Sequence, residues 1–286
     1  AHADINMLPA DTSNTSFWRP RRAFAPLLPD RRPLAAGCSR VYVDLGCNVG
    51  LNLRRLFMPA VHRYGQSLFR ELDAKMAGGQ SNRSDICAIA FEPVPANEES
   101  IRKLVASLRA GGQARAQLLA VFPAAIHATN GLATFYLDKA GPGSAGAKYH
   151  NWGSSLLMWE AGMEHRQLRV PQVGLKYLLE RLYGADADAD AAGVLTVMKM
   201  DIEGAEYDAL PAAWRAVCAR VDRLFLETHD RFFSERWHGH RAEMGSGDGR
   251  VARLHELLRR MDDERRAGRC RTHWTMLGSR ERRRAR

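Results

Sequence analysis

The stretch Val41-Tyr-Val-Asp-Leu-Gly-Cys-Asn-Val-Gly50 decides the fold. Its first half, residues 41–45, is a short apolar run that ends at a glycine, which is typical of a buried parallel strand. Beyond the stretch, apolar residues recur at helical spacing, at Leu53, Leu56, Phe57 and Val61. The sequence therefore predicts a strand, a glycine-containing turn and a helix over residues 49–64.

The same alternation continues along the chain. Further strands are predicted at residues 86–91, 118–126, 133–137, 194–200, 221–227 and 272–277, and further helices at 96–109, 173–183, 205–219 and 251–261. This order indicates an α/β fold with a doubly wound, mostly parallel sheet, which we expect to end in an antiparallel closing strand. Ligands of such sheets bind beyond the carboxyl ends of the strands. Functional residues are therefore expected just after Leu45, Phe91, Ile126, Met200 and Leu226.

Length and composition fit one folded domain. The chain has 286 residues, 45% hydrophobic and 26% charged, and no Pro/Gly/Ser-rich linker divides it. We expect an irregular N-terminal arm at residues 1–37, one domain at 38–278 with an inserted segment at about 65–85, and a basic tail at 279–286. No stretch reads as a transmembrane helix.

The net charge of +10 is concentrated toward the two ends of the chain. Solvated termini are one interpretation and an anionic partner is the other, with no specific nucleic acid expected. The five cysteines are widely spaced without a C-x-x-C pair, so neither a zinc site nor a dense disulfide framework is indicated. N-glycosylation triplets begin at Asn14 and Asn82, so cytoplasm and secretory lumen both stay open. A targeting segment ahead of Ala1 and the oligomeric state are also left open.

The loop after the first strand is the first candidate ligand site. Gly46 and Gly50 allow a sharp turn and leave room for a ligand at the helix N-terminus. A phosphate-binding turn needs G-x-G-x-x-G, but Asn48 stands where its central glycine would be. The Asp44 carboxylate would repel a pyrophosphate and would suit a cationic ligand with an amino group. The alternative is a tight strand–helix turn with an Asn N-cap.

Acidic residues follow two later strands. Glu92 is placed to accept hydrogen bonds from ribose hydroxyls, and the inserted segment explains why it lies 42 residues after Gly50. Asp201, Glu203 and Glu206 follow the strand at 194–200, where unpaired burial would be costly. The alternative for these carboxylates is an ordinary helix start, which the helix dipole favours.

A histidine, His229, follows the strand at 221–227. Close to Asp201, it could take a proton from a substrate hydroxyl, or it could merely cap or pack. His229, Asp201 and Glu203 are also residue types that ligate divalent metals, but their spacing is not diagnostic, so we predict no metal site.

Together these blocks resemble the FkbM-type methyltransferase family. The shared pattern is V-x-V-D-x-G-x-N-x-G at residues 41–50, F-E-P at 91–93, a strand–turn–strand with N-G at 124–131, and K-x-D-x-E-G-x-E at 199–206. Residues 153–156 and 170–179 also look like the family's intervening segment. The likeness covers about residues 40–230, and the inserted segment and the Arg-rich ends have no counterpart in it.

The resemblance implies a class I, Rossmann-like methyltransferase fold with S-adenosylmethionine as cofactor. It also implies methyl transfer to a hydroxyl of a sugar, glycan or natural product. On this sequence the catalytic group would be His229, Asp201 and Glu203, and the substrate contacts Ser154, Ser155 and Glu206. By the same analogy, the cofactor pocket is assigned to Asp44, Gly46, Cys47, Asn48, Gly50, Asn52, Glu92, Pro93, Ala125 and Ile126.

Two other functions stay open. One is a nicotinamide-dependent oxidoreductase on a similar sheet, against which the missing central glycine and the Asp44 carboxylate both count. The other is a non-catalytic binding protein that keeps the fold and uses its basic ends for an anionic partner.

Overall fold

The computed structural model describes residues 17–18, 28, 33–58, 86–114, 117–138, 153–158, 166–184, 193–230 and 249–277. The strands are β1 (Phe17–Trp18), β2 (Arg40–Leu45), β3 (Cys87–Phe91), β4 (Leu118–Val121), β5 (Ala125–His127), β6 (Gly131–Tyr136), β7 (Gln167–Gly174), β8 (Leu195–Met200), β9 (Arg223–Leu226) and β10 (His273–Met276). The α-helices are α1 (Leu51–Phe57), α2 (Glu98–Ala110), α3 (Leu175–Tyr183), α4 (Glu206–Arg220) and α5 (Arg250–Arg266), and a short 3-10 helix, Pro95–Asn97, precedes α2.

Seven strands form the main sheet, in the order β1-β4-β3-β2-β8-β9-β10, and each pairing is parallel. The predicted α/β class and doubly wound parallel sheet are confirmed. The predicted antiparallel closing strand is wrong, because β10 pairs parallel with β9. Helix α5 lies between these two strands in the chain, and such a crossover returns the chain to the same end of the sheet.

A second, smaller sheet has the order β5-β7-β6, and its β6–β7 pairing is antiparallel. The predicted strand at 118–126 is divided between the two sheets at Pro123, which lacks the N–H that a ladder needs. The predicted helix at 173–183 begins later, at Leu175, because β7 continues to Gly174. An isolated bridge between Tyr136 and Ser155 attaches residues 153–158 to this sheet.

The main sheet is covered on both faces. Apolar residues of α1 and α2 pack on one face, and those of α3, α4 and α5 pack on the other. The central strands β2, β3 and β8 are buried along their whole length, as expected of a parallel sheet between helical layers. Only the ends of these strands can therefore meet a ligand.

Part of the predicted irregular arm packs onto the domain. Residues Phe17–Trp18 pair with β4 at the sheet edge, and Leu28 and Leu34 are buried in the core. The predicted inserted segment at 65–85 and basic tail at 279–286 lie outside the described residues, as does the predicted first helix beyond Met58. Within the described ranges, no helix is long and apolar enough to cross a membrane.

Two disulfides cross-link the amino-terminal side of the sheet. Cys38 is joined to Cys87 at the start of β3, and Cys218 of α4 is joined to Cys270 just before β10. Neither pair has a recognisable spacing motif, since the partners lie 49 and 52 residues apart. Cys47 is a buried free thiol.

We expect the double variant Cys218→Ala/Cys270→Ala to lower the free energy of unfolding in urea by about 4 kcal/mol, as the chain-entropy estimate gives for a closed loop of this length. The control is Cys47→Ala, which replaces the free thiol. Its loss of stability on transfer from oxidising to reducing buffer should equal that of the wild type. A double variant as stable as the oxidised wild type would contradict the expectation.

Candidate active site

The carboxyl ends of β3, β2, β8 and β9 are neighbours at the centre of the sheet. The chain changes direction across the sheet between β2 and β8, so this edge is its switch point. The structure brings together here Glu92, residues 46–50, residues 201–206 and His229, which the sequence placed after four separate strands. We call residues 46–50 the glycine loop and residues 201–206 the acidic loop.

Each backbone N–H of the glycine loop is hydrogen-bonded within the protein. The N–H groups of Gly46 and Cys47 donate to the Phe91 carbonyl at 3.2 and 2.9 Å. The Gly50 N–H donates to the Cys47 carbonyl at 2.8 Å. The Asn48 N–H donates to Glu92 Oε2 at 2.7 Å, and the Val49 N–H donates to Asn48 Oδ1 at 2.8 Å. Residues 46–50 therefore hold out no free N–H to a phosphate.

Gly46 lies against the main chain of the acidic loop. Its φ is +80°, and a Cβ at this position would stand 1.9 Å from the Asp201 carbonyl oxygen. The Asp201 N–H donates in turn to the Leu45 carbonyl at 3.1 Å. Both the backbone angle and the close approach require glycine here.

Glu92 is 4% exposed and joins the glycine loop to the turn after β3. Its Oε1 accepts from the Val94 N–H at 2.9 Å and from Asn97 Nδ2 at 3.1 Å, and its Oε2 accepts from Asn48. Burial raises the pKa of Glu92 to about 7, although these hydrogen bonds oppose the shift. A carboxylate oxygen carries two lone pairs, so Oε2 can accept one more donor.

Lys199 is a buried cation between the two loops. Its Nζ lies 2.8 Å from the Gly46 carbonyl oxygen, 2.9 Å from Asp201 Oδ2 and 3.6 Å from Asp44 Oδ1. Burial lowers the pKa of Lys199, but Asp201 and Asp44 outweigh it and the net shift is upward. The sequence contained Lys199 in the acidic block without suggesting a role for it.

Asp44 is fully buried, and burial raises its pKa to about 6 while Lys199 opposes the shift. The sequence predicted that this carboxylate would receive a ligand cation directly. In the structure a protein cation, Lys199, lies beside it instead. The Asp44 side chain therefore lies behind the glycine loop and is not exposed to the crevice.

His229 is 3% exposed and is held between two carboxylates. Its Nδ1 lies 2.8 Å from Glu206 Oε1 and its Nε2 lies 3.1 Å from Glu203 Oε2, with Asp201 Oδ1 3.8 Å from Nε2. Burial lowers the pKa of His229, but the two glutamates raise it by more than burial lowers it, and the net pKa is about 11. The ring is therefore an imidazolium at neutral pH, and in that form it accepts no proton.

Glu206 was predicted to contact substrate, but it is wholly buried. Its Oε2 accepts from the Gly204 N–H at 2.9 Å, and its Oε1 accepts from the His229 N–H at 3.1 Å besides facing the ring. Glu206 therefore begins α4 and fixes His229, and it does not reach the crevice.

Ser154 and Ser155, also predicted as substrate contacts, use their hydroxyls within the protein. Ser154 Oγ accepts from the Asp138 N–H at 2.9 Å. Ser155 Oγ donates to the Glu203 carbonyl and accepts from the Leu157 N–H at 2.9 Å. Glu203 has a φ of +51°, which is unusual for a residue with a side chain, so Ser155 helps to hold a strained turn.

The remaining predicted cofactor residues differ in exposure. Cys47 is buried, and burial raises the pKa of its thiol. Ala125 and Ile126 are buried, and Ile126 packs in the core beneath α3–α5, so its side chain is not available to a ligand. Pro93 and Asn52 are partly exposed.

Glu227 is a site residue that we did not select from the sequence. It follows Leu226 directly, so the rule of looking just beyond each strand could have found it. Asp201, Glu227 and His229 bring one metal-ligand atom each within 4.8 Å of one another. A divalent cation bound to these three residues would have to displace the Lys199 ammonium from Asp201 or the protons of the His229 ring. We therefore assign no metal-binding role to the three residues.

The fold and this edge define the class of protein: a doubly wound, Rossmann-like α/β protein with a glycine loop and a buried carboxylate at its switch point. The family model described as "Methyltransferase FkbM domain" matches residues 62–265, and the chain belongs to this family of methyltransferases. The family predicted from the sequence is thereby confirmed. The match begins after the glycine loop, so the interpretation of that loop depends on its own geometry. No curated protein and no solved structure matches the chain.

We expect Gly46→Ala to destabilise the fold far more than Gly37→Ala in urea unfolding. The two glycines have φ values of +80° and +79°, but a Cβ at Gly37 meets nothing within 4 Å. Gly37→Ala should therefore cost only the backbone strain, about 1–2 kcal/mol, whereas Gly46→Ala adds a main-chain clash. Equal losses in the two variants would show that the contact with Asp201 can relax freely.

Proposed function

We propose that this protein is an S-adenosylmethionine-dependent O-methyltransferase that methylates a hydroxyl of a glycan, sugar or natural product. The observation that carries the proposal is the internal hydrogen bonding of the glycine loop next to an excess of carboxylates. Family membership supports methyl transfer in general, and the crevice supports the choice of cofactor.

The glycine loop is unsuited to a dinucleotide. A Rossmann pyrophosphate site uses free N–H groups at the helix N-terminus, whereas the N–H groups of residues 46–50 are all used within the protein. This argues against the nicotinamide-dependent oxidoreductase. The basic ends that suggested an anionic partner lie largely outside the described residues, so the binding-protein alternative gains no support from this site.

The charges around the crevice favour a cationic cofactor. Carboxylates outnumber cations at this edge of the sheet, where Lys199 and His229 are the cations described above. The carboxylates are Glu92, Asp201, Glu203 and Glu227, with Asp44 and Glu206 buried behind them. Such an excess stabilises a nearby positive charge, and the sulfonium and ammonium groups of S-adenosylmethionine are both positive. The remaining acceptor capacity of Glu92 Oε2 suits a ribose hydroxyl.

When bound, S-adenosylmethionine supplies a methyl group on a sulfonium, which is a good leaving group. The acceptor oxygen forms a bond to the methyl carbon while the carbon–sulfur bond breaks, and the hydroxyl proton passes to the protein. Alignment of the oxygen can supply roughly 7–11 kcal/mol, more than a general base usually provides. The protein's main task is therefore to hold the acceptor in line.

We place proton acceptance on Glu203, because the charged His229 ring is already protonated. The Glu203 side chain is 18% exposed and His229 Nε2 lies 3.1 Å from it, so His229 orients the carboxylate. Burial raises the pKa of Glu203, which brings it toward the range that suits a general base at neutral pH. Asp201 Oδ1 lies 3.8 Å from the same nitrogen of His229.

The disulfides favour an oxidising compartment, where the acceptor would be a glycan. Disulfides persist in the secretory lumen and outside cells and are rare in reducing cytosol. The glycosylation triplets at Asn14 and Asn82 agree with this location, although both lie outside the described residues.

Calorimetry with S-adenosylmethionine, S-adenosylhomocysteine, NAD and NADP tests the cofactor. We expect the first two to bind and the nicotinamides to give no signal. Glu92→Gln should weaken binding by about tenfold or more, since it alters a hydrogen bond made by a charged group. The control is Glu99→Gln on the exposed side of α2. Binding of NAD without S-adenosylmethionine would refute the proposal.

Glu203→Gln should lower methyl transfer by about 10²–10⁴-fold, because it removes a proton acceptor. It should weaken cofactor binding less than Glu92→Gln does, because only one of several carboxylates near the cofactor's positive charge is lost. In the wild type, turnover should rise with pH as Glu203 ionises, and this acid limb should disappear in the variant. Glu256→Gln, on the exposed face of α5, serves as the matched control. A variant that keeps the acid limb would show that another group takes the proton.

A further inference from the structure

The partners of Lys199 come from two separate segments of the chain. Asp44 and the Gly46 carbonyl belong to β2 and the glycine loop, whereas Asp201 begins the acidic loop. A buried lysine is costly unless its charge and its N–H groups are satisfied. Of the three N–H donors of the ammonium, two have acceptors at 2.8 and 2.9 Å, the Gly46 carbonyl and Asp201 Oδ2. Asp44 Oδ1, at 3.6 Å, adds opposite charge without a hydrogen bond.

The sheet itself places Lys199 between the loops. Asp44 and Lys199 are direct register partners on the adjacent strands β2 and β8, so their side chains lie on the same face. Each is the last residue but one of its strand. The ammonium therefore reaches just past the strand ends, where both loops begin.

We infer that Lys199 is a positioning residue that couples the glycine loop to the acidic loop, so that cofactor binding and methyl transfer depend on one buried cation. This role deepens the proposed function and rests on it. Lys199 acts through the groups it holds and need not touch cofactor or acceptor.

The two groups that Lys199 holds have separate consequences. The Gly46 carbonyl accepts from Lys199, while the Cys47 N–H of the same peptide unit donates to the Phe91 carbonyl at 2.9 Å, so this peptide cannot rotate without losing both bonds. Asp201 Oδ2 is held at 2.9 Å, which leaves Oδ1 on the side of His229. Loss of Lys199 would thus loosen the cofactor wall and the reacting side together.

The rival role is purely electrostatic, in which Lys199 only balances the buried Asp44 charge. The double variant Lys199→Met/Asp44→Asn separates the two roles. It removes the cation and its buried counter-charge together, so charge balance at Asp44 is restored. The Gly46 carbonyl and Asp201 nevertheless lose their donor.

The experiment compares hydrogen exchange of the amides at residues 46–50 and 202–206 in the wild type, Lys199→Met, the double variant and the control Lys176→Met on the exposed side of α3. We expect exchange of both segments to speed up by about tenfold or more in Lys199→Met and in the double variant. The control should match the wild type. Wild-type exchange in the double variant would overturn the inference and leave Lys199 as a charge partner only.

The affinity for S-adenosylmethionine and the rate of methyl transfer are measured on the same four proteins. Both should fall by about tenfold or more in the double variant. A fall in only one would also overturn the coupling. If the wild type binds no S-adenosylmethionine, the proposed function fails, whereas the exchange result still decides whether Lys199 joins the two loops.

Discussion

The main chains at Gly46 and Asp201 come so close that a single added carbon would stand 1.9 Å from a carbonyl oxygen. Most of the active site depends on this approach. It brings the Gly46 carbonyl within reach of Lys199, which also holds Asp201, and Asp201 in turn lies beside His229. A larger residue at position 46 would separate the two strand ends and leave the Lys199 charge with fewer acceptors.

The small sheet supports the same site from the other side. The bridge between Tyr136 and Ser155 anchors residues 153–158, and the Ser155 hydroxyl then bonds to the Glu203 carbonyl. Glu203 can keep its positive φ because this bond and the His229 ion pair both fix it. The main sheet thus supplies the charged groups, and the small sheet fixes the turn that carries one of them.

The strand-end rule found Glu92, Asp201, Glu203 and His229 because parallel strands share one carboxyl edge, and each residue follows a local apolar run. The role of Lys199 was not predictable in this way, since it depends on pairing across 153 residues. Disulfide partners are non-local for the same reason. The direction of β10 and the break at Pro123 do have local signals, in the helix ahead of residue 272 and in the proline itself.

The disulfide between Cys38 and Cys87 closes a covalent ring that contains β2, the glycine loop, α1 and all residues up to the start of β3. A single peptide-bond break anywhere within that ring leaves the two fragments joined as long as the disulfide is intact. The parallel pairing of β2 with β3 also sets the position of Glu92 from within the sheet. The length of chain between α1 and β3 can therefore change during evolution without moving the carboxylate that follows β3.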